Sequence, residues 1–88
     1  MMFVILSYDV REAQCTKVAK IAKKYLHYMQ RSLYQGYLTE KQLKRLQEEL
    51  LRRIDPDYDS IIVYRIQSDN DLCIDKIGTV KERGLFIY

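Results

Sequence analysis

The chain has little to offer chemistries that depend on sulfur or imidazole, with two cysteines, Cys15 and Cys73, and a single histidine, His27, in 88 residues. The cysteines are far apart and form no C-x-x-C pair, which argues against both a disulfide framework and a zinc site. They read as buried or incidental thiols of a reducing compartment. His27 has no serine or cysteine at a readable spacing and falls in a link between elements, so a surface or helix-end role is expected rather than general-base chemistry. No apolar run approaches the ~18 residues of a membrane span, and the apolar opening at residues 1 to 6 has no basic flank. The expectation is a soluble, cytoplasmic protein without a membrane partner. Long polar tracts are absent too, and 48% of residues are hydrophobic, as suits one globular domain. A chain this short buries little more than ~60% of the surface it exposes when unfolded. A symmetric partner would add burial, and a homodimer is expected.

Charge is unevenly spread. Residues 1 to 45 hold nine Lys/Arg against three acids, net +6, and residues 46 to 88 hold six against nine, net −3. A basic N-terminal half suits a polyanion, although charge runs are usually solvated faces.

The opening run Met1-Met2-Phe3-Val4-Ile5-Leu6 reads as a buried strand. Residues 12 to 26 read as a helix whose core face is Cys15, Val18, Ala22 and Tyr25 with Leu26 beside them. Lys17, Lys20 and Lys24 form a stripe on its opposite side, next to Lys23. Residues 28 to 37 alternate as one strand, with Met29, Arg31, Leu33 and Gln35 on one face and Tyr28, Gln30, Ser32 and Tyr34 on the other. Gly36 marks a bulge or the strand's end. Thr39-Glu40-Lys41-Gln42 is a capping box, and Leu38 with Leu43 has the spacing of a hydrophobic staple, so a second helix starts at about residue 40. Leu43, Leu46, Leu50, Leu51 and Ile54 are its apolar face, and Asp55-Pro56 stops it.

After a turn at residues 57 to 60, residues 61 to 66 are apolar on both faces except at Arg65, as in an interior strand. Residues 68 to 71 have turn chemistry, and residues 73 to 77 form a fourth, shorter strand ending at Gly78. The element order is β-α-β-β-α-β if the second strand is broken, or β-α-β-α-β-β if it is not. Either way the class is α+β, with two helices on one face of a mainly antiparallel sheet. Residues 1 to 78 make the domain and residues 79 to 88 an extension. Its end, Leu85-Phe86-Ile87-Tyr88, is expected to add to a sheet edge, that of a partner subunit.

Asp9 is the first ionisable side chain, at the mouth of the opening strand and after Ser7 and Tyr8. Two readings of it stand side by side. Asp9-Val10-Arg11-Glu12 has the spacing of a helix N-cap with an acid at the third helical position. A lone carboxylate between dry interior and solvent also suits a metal ion.

Taken together, these residues resemble the CRISPR-associated protein two family. The resemblance rests on the strand ending in Tyr8-Asp9 and on Met29-Gln30-Arg31-Ser32-Leu33-Tyr34-Gln35-Gly36, which is similar to the family's apolar-Gln-x-Ser-apolar-aromatic-x-Gly. Ile54-Asp55-Pro56, Asp59-Ser60-Ile61 and Tyr64-Arg65-Ile66 extend it over nearly the whole chain. The resemblance implies a homodimer of ferredoxin-like βαββαβ sandwiches whose C-terminal strands cross to the neighbouring subunit. It also implies a role in spacer acquisition and antiviral defence alongside the CRISPR integrase, and Asp9 as catalytic residue and ligand of magnesium or another divalent cation. This chain departs from the family at Cys15, Thr16, Lys17 and Tyr28, where arginines are common, and at Tyr34, usually Phe. Lys17, Lys20 and Arg31 then stand in as phosphate contacts with different geometry.

Three functions follow as expectations. The first is a magnesium-dependent endoribonuclease or endonuclease acting on single-stranded RNA or duplex DNA. A two-fold axis near Asp9 would bring two carboxylates together. Lys17, Lys20, Lys24, Arg31 and Ser32 would bind nucleic acid, with Tyr8 and Tyr34 next to the site; Ser32 and Tyr34 serve equally well in the strand ladder and the core. The second is a non-catalytic DNA-bridging subunit of the integrase complex, held by lysines and arginines on phosphates. The third is a ferredoxin-like ligand-sensing module in which Asp9 only caps a helix.

Overall fold

The opening apolar run forms β1 (Met2–Asp9) and takes the middle of a five-stranded sheet. The computed structural model of the chain describes residues 1–67 and 72–79. Along these lie α1 (Glu12–Tyr25), β2 (His27–Gln30), β3 (Leu33–Leu38), α2 (Glu40–Arg53), β4 (Ser60–Ile66) and β5 (Leu72–Gly78). The strand order is β2-β3-β1-β4-β5, and every neighbouring pair is antiparallel. The first six elements are the βαββαβ of a ferredoxin-like fold, and β5 extends the sheet beyond β4.

Alternation along β1 sends Met2, Val4, Leu6 and Tyr8 into the core and leaves Phe3, Ile5 and Ser7 half-buried on the other face. The buried set meets Tyr34 and Leu38 of β3 and Ile61 and Val63 of β4, under Val18, Ile21 and Ala22 of α1. From α2 come Leu43, Leu46, Leu50 and, at its C-cap, Ile54. Burying such a side chain is worth about 1.5–3 kcal/mol, so packing holds α2 in place. The Thr39 capping box, with Gln42 N–H on Thr39 Oγ1 at 3.1 Å and Thr39 N–H on Gln42 Oε1 at 2.9 Å, adds about 1 kcal/mol and decides where the helix starts. Leu51, read as apolar-face, is 52% exposed, because it follows the buried Leu50 by one residue and turns about 100° away.

Residues 28 to 37 are two strands rather than one. The chain reverses at Arg31 and Ser32, where Arg31 takes a φ of 42° and its N–H donates to Tyr28 Oη at 2.7 Å. A register shift between Tyr28 and Gln30 accompanies the turn, so the two faces expected from simple alternation do not hold across it. This two-residue reversal contains no Gly, Pro, Asn or Asp, and alternation runs through it unbroken in the sequence. Gly36 lies inside β3 opposite Val4, where a Cβ would stand 3.1 Å from Leu26 Cδ2; it admits the chain leaving α1. Asp9 caps no helix. The N-cap of α1 is Arg11, which makes no side-chain cap bond.

The strand expected at 73 to 77 is the fifth, and as Leu72–Gly78 it equals β4 in length at seven residues. The turn expected at 68 to 71 and the terminal strand of Leu85, Phe86, Ile87 and Tyr88 lie outside the described residues. Among the described residues no helix is long and apolar enough to cross a membrane.

Gly78 ends β5 with a φ of 84°, and a Cβ there would fall 2.0 Å from the backbone oxygen of Asp59. Neither the backbone angle nor the space admits a side chain. Gly78→Ala is therefore expected to lower unfolding stability by about 2–4 kcal/mol, read from the midpoint of urea denaturation at unchanged slope.

Candidate functional site

Asp9 closes β1 opposite Ser60 of β4 and is exposed. Alternation puts it on the helix-free face of the sheet with Phe3, Ile5 and Ser7. Its backbone oxygen accepts from Ser60 Oγ at 3.4 Å, while its carboxylate has no hydrogen-bond or ion-pair partner among the described residues. The side chain is free to meet a ligand.

The turn between β2 and β3 lies beside it. Tyr8 N–H donates to the backbone oxygen of Ser32 at 3.2 Å, which brings Ser32 and its neighbour Arg31 to the Asp9 end of β1. Arg31 is exposed and Ser32 half-buried. Behind them Tyr8 stacks on Tyr34 at 6.2 Å between ring centroids, and Tyr28 meets Tyr34 edge-on at 5.5 Å. Burial, together with the neighbouring Tyr34 and the hydrogen bond to it, pushes the Tyr8 hydroxyl up to about 12. Tyr8 thus stays protonated near neutral pH, a packing group rather than a base. Tyr34 is fully buried and supports the site from within.

Lys17 and Lys20 are exposed on α1. Lys24 is not near Asp9. It lies about 18 Å further along the axis than Glu12, at 1.5 Å per residue, and pairs with Glu49 of α2, which also accepts from the Tyr25 hydroxyl. Those two donors, Lys24 first, hold the Glu49 carboxyl below its ordinary value. The structure therefore gathers Tyr8, Asp9, Arg31, Ser32 and Tyr34, and gives Lys24 to the contact between helices.

Sequence reasoning missed Asp59. Read as a turn residue, it is 0% exposed. Its Oδ1 accepts from Arg11 N–H at 2.9 Å and from Arg11 Nε at 3.4 Å, and its Oδ2 accepts from Asp55 N–H at 2.9 Å. The Arg11 guanidinium also lies 5.1 Å over the ring of Tyr58 and 3.8 Å from Asp55. These contacts join residues 48 positions apart, and no local pattern in Asp55-Pro56-Asp57-Tyr58-Asp59 announces them.

Among the described residues no three His, Cys, Asp or Glu side chains gather to hold a metal ion. One chain offers the Asp9 carboxylate alone. The carboxyl oxygen is a hard donor of the kind magnesium takes, and that ion is commonly held by one or two carboxylates with water and phosphate oxygens completing the shell. Asp9 fits such an ion as one contributor.

Comparison with known proteins gives the family and the fold. The family model described as CRISPR associated protein Cas2 matches residues 2–72. A relative from Thermotoga maritima named CRISPR-associated endoribonuclease Cas2 is 36% identical over 87 residues, covering 99% of this chain and 100% of its own. One from Thermodesulfovibrio yellowstonii, named CRISPR-associated endoribonuclease Cas2 3, is 34% identical, covering 93% of each chain. A solved structure titled Crystal structure of cas2 superposes with a TM-score of 0.73 at 32% identity, covering 92% of this chain and 91% of its own.

Burial raises the pKa of Asp59, but the N–H groups of Asp55 and Arg11 and the Arg11 guanidinium outweigh it, leaving the carboxyl below its ordinary 3.8. A depressed native pKa stabilises the fold above the unfolded value, and that contribution disappears as pH falls through the native one. Thermal unfolding measured from pH 6 down to pH 2, roughly spanning the carboxylate range, should show a steep loss below about pH 4 that is shallower in Asp59→Asn. Parallel curves would assign the acid sensitivity to other groups.

Proposed function

The chain belongs to the CRISPR-associated Cas2 family, and from that membership we propose that it is a divalent-metal-dependent endoribonuclease, working as a homodimer in spacer acquisition with the CRISPR integrase. The observation that carries this reading is the free Asp9 carboxylate, exposed at the end of the central strand, in a chain whose relatives are named endoribonucleases.

The helix-free face supports the dimer. Phe3, Ile5, Ile62 and Tyr64 are half-buried there, and Tyr37 at 65%, Leu72 at 57% and Ile74 at 43% are exposed. The register aligns Ile5 with Tyr64 and Tyr64 with Ile74, and Phe3 and Tyr37 are in contact at 5.1 Å, so the patch is continuous across four strands. A large apolar patch on a water-exposed sheet marks an interface. Asp9 shares that face, so a two-fold axis through it sets two Asp9 side chains toward one another and supplies the second carboxylate.

Asp9 would hold magnesium through its carboxyl oxygens. When bound, magnesium neutralises phosphate charge and makes a water nucleophilic at neutral pH. Arg31, at the neighbouring turn, holds the phosphate backbone, and the Ser32 hydroxyl is a donor to a phosphate oxygen; Lys17 and Lys20 lie on α1 on the other side of the sheet and add only longer-range attraction. Tyr8 excludes water beneath Asp9 and carries no proton to or from the reaction.

One observation favours a second reading. The two helices carry nine of the chain's 15 Lys/Arg against four acids, a basic layer on the side opposite Asp9. Such a layer suits duplex DNA bridged between integrase subunits without cleavage.

Asp9→Ala separates the two. Purified protein is incubated with labelled single-stranded RNA and duplex DNA in magnesium, and its size is followed by light scattering. The nuclease reading expects cleavage to fall about 100-fold or more, the scale of losing several kcal/mol of metal assistance, with the dimer unchanged. Undiminished cleavage removes Asp9 from the chemistry. Lost cleavage with intact spacer acquisition in cells favours the bridging role.

A further inference from the structure

The strand pairing that fixes β1 ends at Asp9. From there the chain must cross Val10 and Arg11 before α1 begins at Glu12; alternation along β1 sets the face on which Asp9 lies, and this connection sets how firmly the end of the strand is held. The Val10 side chain packs partly buried against the core, and the Arg11 guanidinium lies over Tyr58 and near Asp55; the backbone between them has fewer restraints. Gln14 N–H bonds the Arg11 carbonyl at 2.8 Å, and Cys15 Sγ lies 3.8 Å from the Val10 carbonyl and 3.6 Å from that of Arg11. All these groups belong to α1 and move with it. Arg11, the N-cap residue, supplies no side-chain cap of its own.

We propose that Asp59 is a positioning residue for Asp9, its buried carboxylate tethering the Arg11 backbone so that the connection leaving β1, and with it the Asp9 carboxylate, is held in one geometry. This rests on the reading of Asp9 as the catalytic metal ligand and assigns the second carboxylate on which that ligand depends.

Several observations converge on the tether. Asp59 is 0% exposed, so no water competes for its oxygens, and both oxygens are used: one on Arg11 N–H, the other on Asp55 N–H just beyond the end of α2. A charged acceptor makes each of these bonds shorter and stronger than a neutral one would. Asp59 is itself immobilised. Its N–H donates to the Asp55 carbonyl at 2.8 Å, its carbonyl accepts from Thr79 N–H at 3.0 Å, and Gly78 lies against that carbonyl too closely for any side chain. Thr79 Oγ1 closes the loop on the Pro56 carbonyl at 2.6 Å. The anchor is thus tied to the end of α2 and to the end of β5, while the next residue, Ser60, pairs with Asp9 itself. The Asp9 main chain is gripped on one side through Ser60 and two residues later through Asp59, both from one rigid loop.

The test uses wild type, Asp59→Ala, Asp59→Asn and the same changes in an Asp9→Ala background, all at a temperature where circular dichroism shows them folded. Asp59→Ala leaves two partly buried N–H groups without their acceptor; Asp59→Asn keeps the shape and one acceptor, so it guards against simple unfolding. In saturating magnesium, kcat for RNA cleavage should fall about 10- to 100-fold in Asp59→Ala, with KM within about twofold and Asp59→Asn intermediate. In the Asp9→Ala background the Asp59 change should have no further effect on cleavage. Wild-type kcat in folded Asp59→Ala, or losses that multiply in the double variant, overturns the proposal. Hydrogen exchange of the Arg11 amide reads the tether without catalysis, so it still decides should Asp9→Ala alone prove fully active. It should accelerate about tenfold or more in Asp59→Ala while β1 amides hold their rates; unchanged exchange at Arg11 overturns the tether even then.

Discussion

Period-two alternation along the central strand obliges Tyr8 and Asp9 to face opposite ways. Tyr8 continues the row Met2, Val4, Leu6 into the core, and Asp9 continues Phe3, Ile5, Ser7 on the face without helices. The strand is paired on both sides, with β3 and β4, so neither residue exchanges faces without a one-residue slip that would turn four buried side chains outward. At ~1.5–3 kcal/mol for each large apolar group, such a slip would cost a large share of the whole stability of a domain this size. The core therefore determines where the carboxylate is, and Tyr8 on Tyr34 is the last layer of that core before solvent.

What was legible in the sequence followed from local physics. The Thr39-Gln42 box and the Leu38–Leu43 spacing marked the start of α2, and Pro56 its stop, because capping and proline geometry act within a few residues. The doubly apolar run at Ile61 to Ile66 announced a strand with neighbours on both sides, as β4 has. Features made by distant partners were hidden. A broken second strand was one of two readings, but the position of the break at Arg31 was hidden because its positive φ goes with the Tyr28 hydroxyl and the register of β3, not with a glycine. Leu51 looked like core because it is leucine beside leucine, though only one of the pair can face inward. Asp59 looked like turn chemistry because its partners are an amide 48 residues earlier and the end of a helix. Asp9 had the spacing of a cap, yet capping needs the helix to start two residues sooner than Arg11 allows.

Charge is divided by layer as well as by sequence. The helices hold most of the cations, some of them spoken for: Lys24 binds Glu49 across the helix pair, and in the sheet Arg65 is clasped by Asp75 at 2.9 and 3.1 Å while Gln47 holds the same carboxylate. In the connection after Asp9, Arg11 is held on the carboxylate of Asp59. A polyanion brought to that end of the sheet meets repulsion unless cations intervene, and Arg31 is the one basic side chain set at the turn beside Asp9. In the proposed site a bound divalent ion would supply further positive charge there.

A carboxylate that stands alone in its own chain is weak as a metal site, and an apolar sheet face left open is costly in water. In the proposed dimer each difficulty answers the other. Pairing two helix-free faces buries Phe3, Ile5, Tyr64 and Ile74 and sets the Asp9 residues at the rim of the same surface, where solvent and a phosphate chain still have access. Two like charges brought together would repel, so in the proposed dimer metal binding and the opposing of subunits would be linked: an ion would stabilise the arrangement that supplies its ligands, and a chain that failed to pair would lose the site even with Asp9 intact. The Asp59 tether then has a physical purpose that a monomer would not need. An error in the direction of Asp9 is doubled across a two-fold axis, because both carboxylates move at once, and rigidity in the Val10–Arg11 connection is what keeps their separation within the reach of one ion.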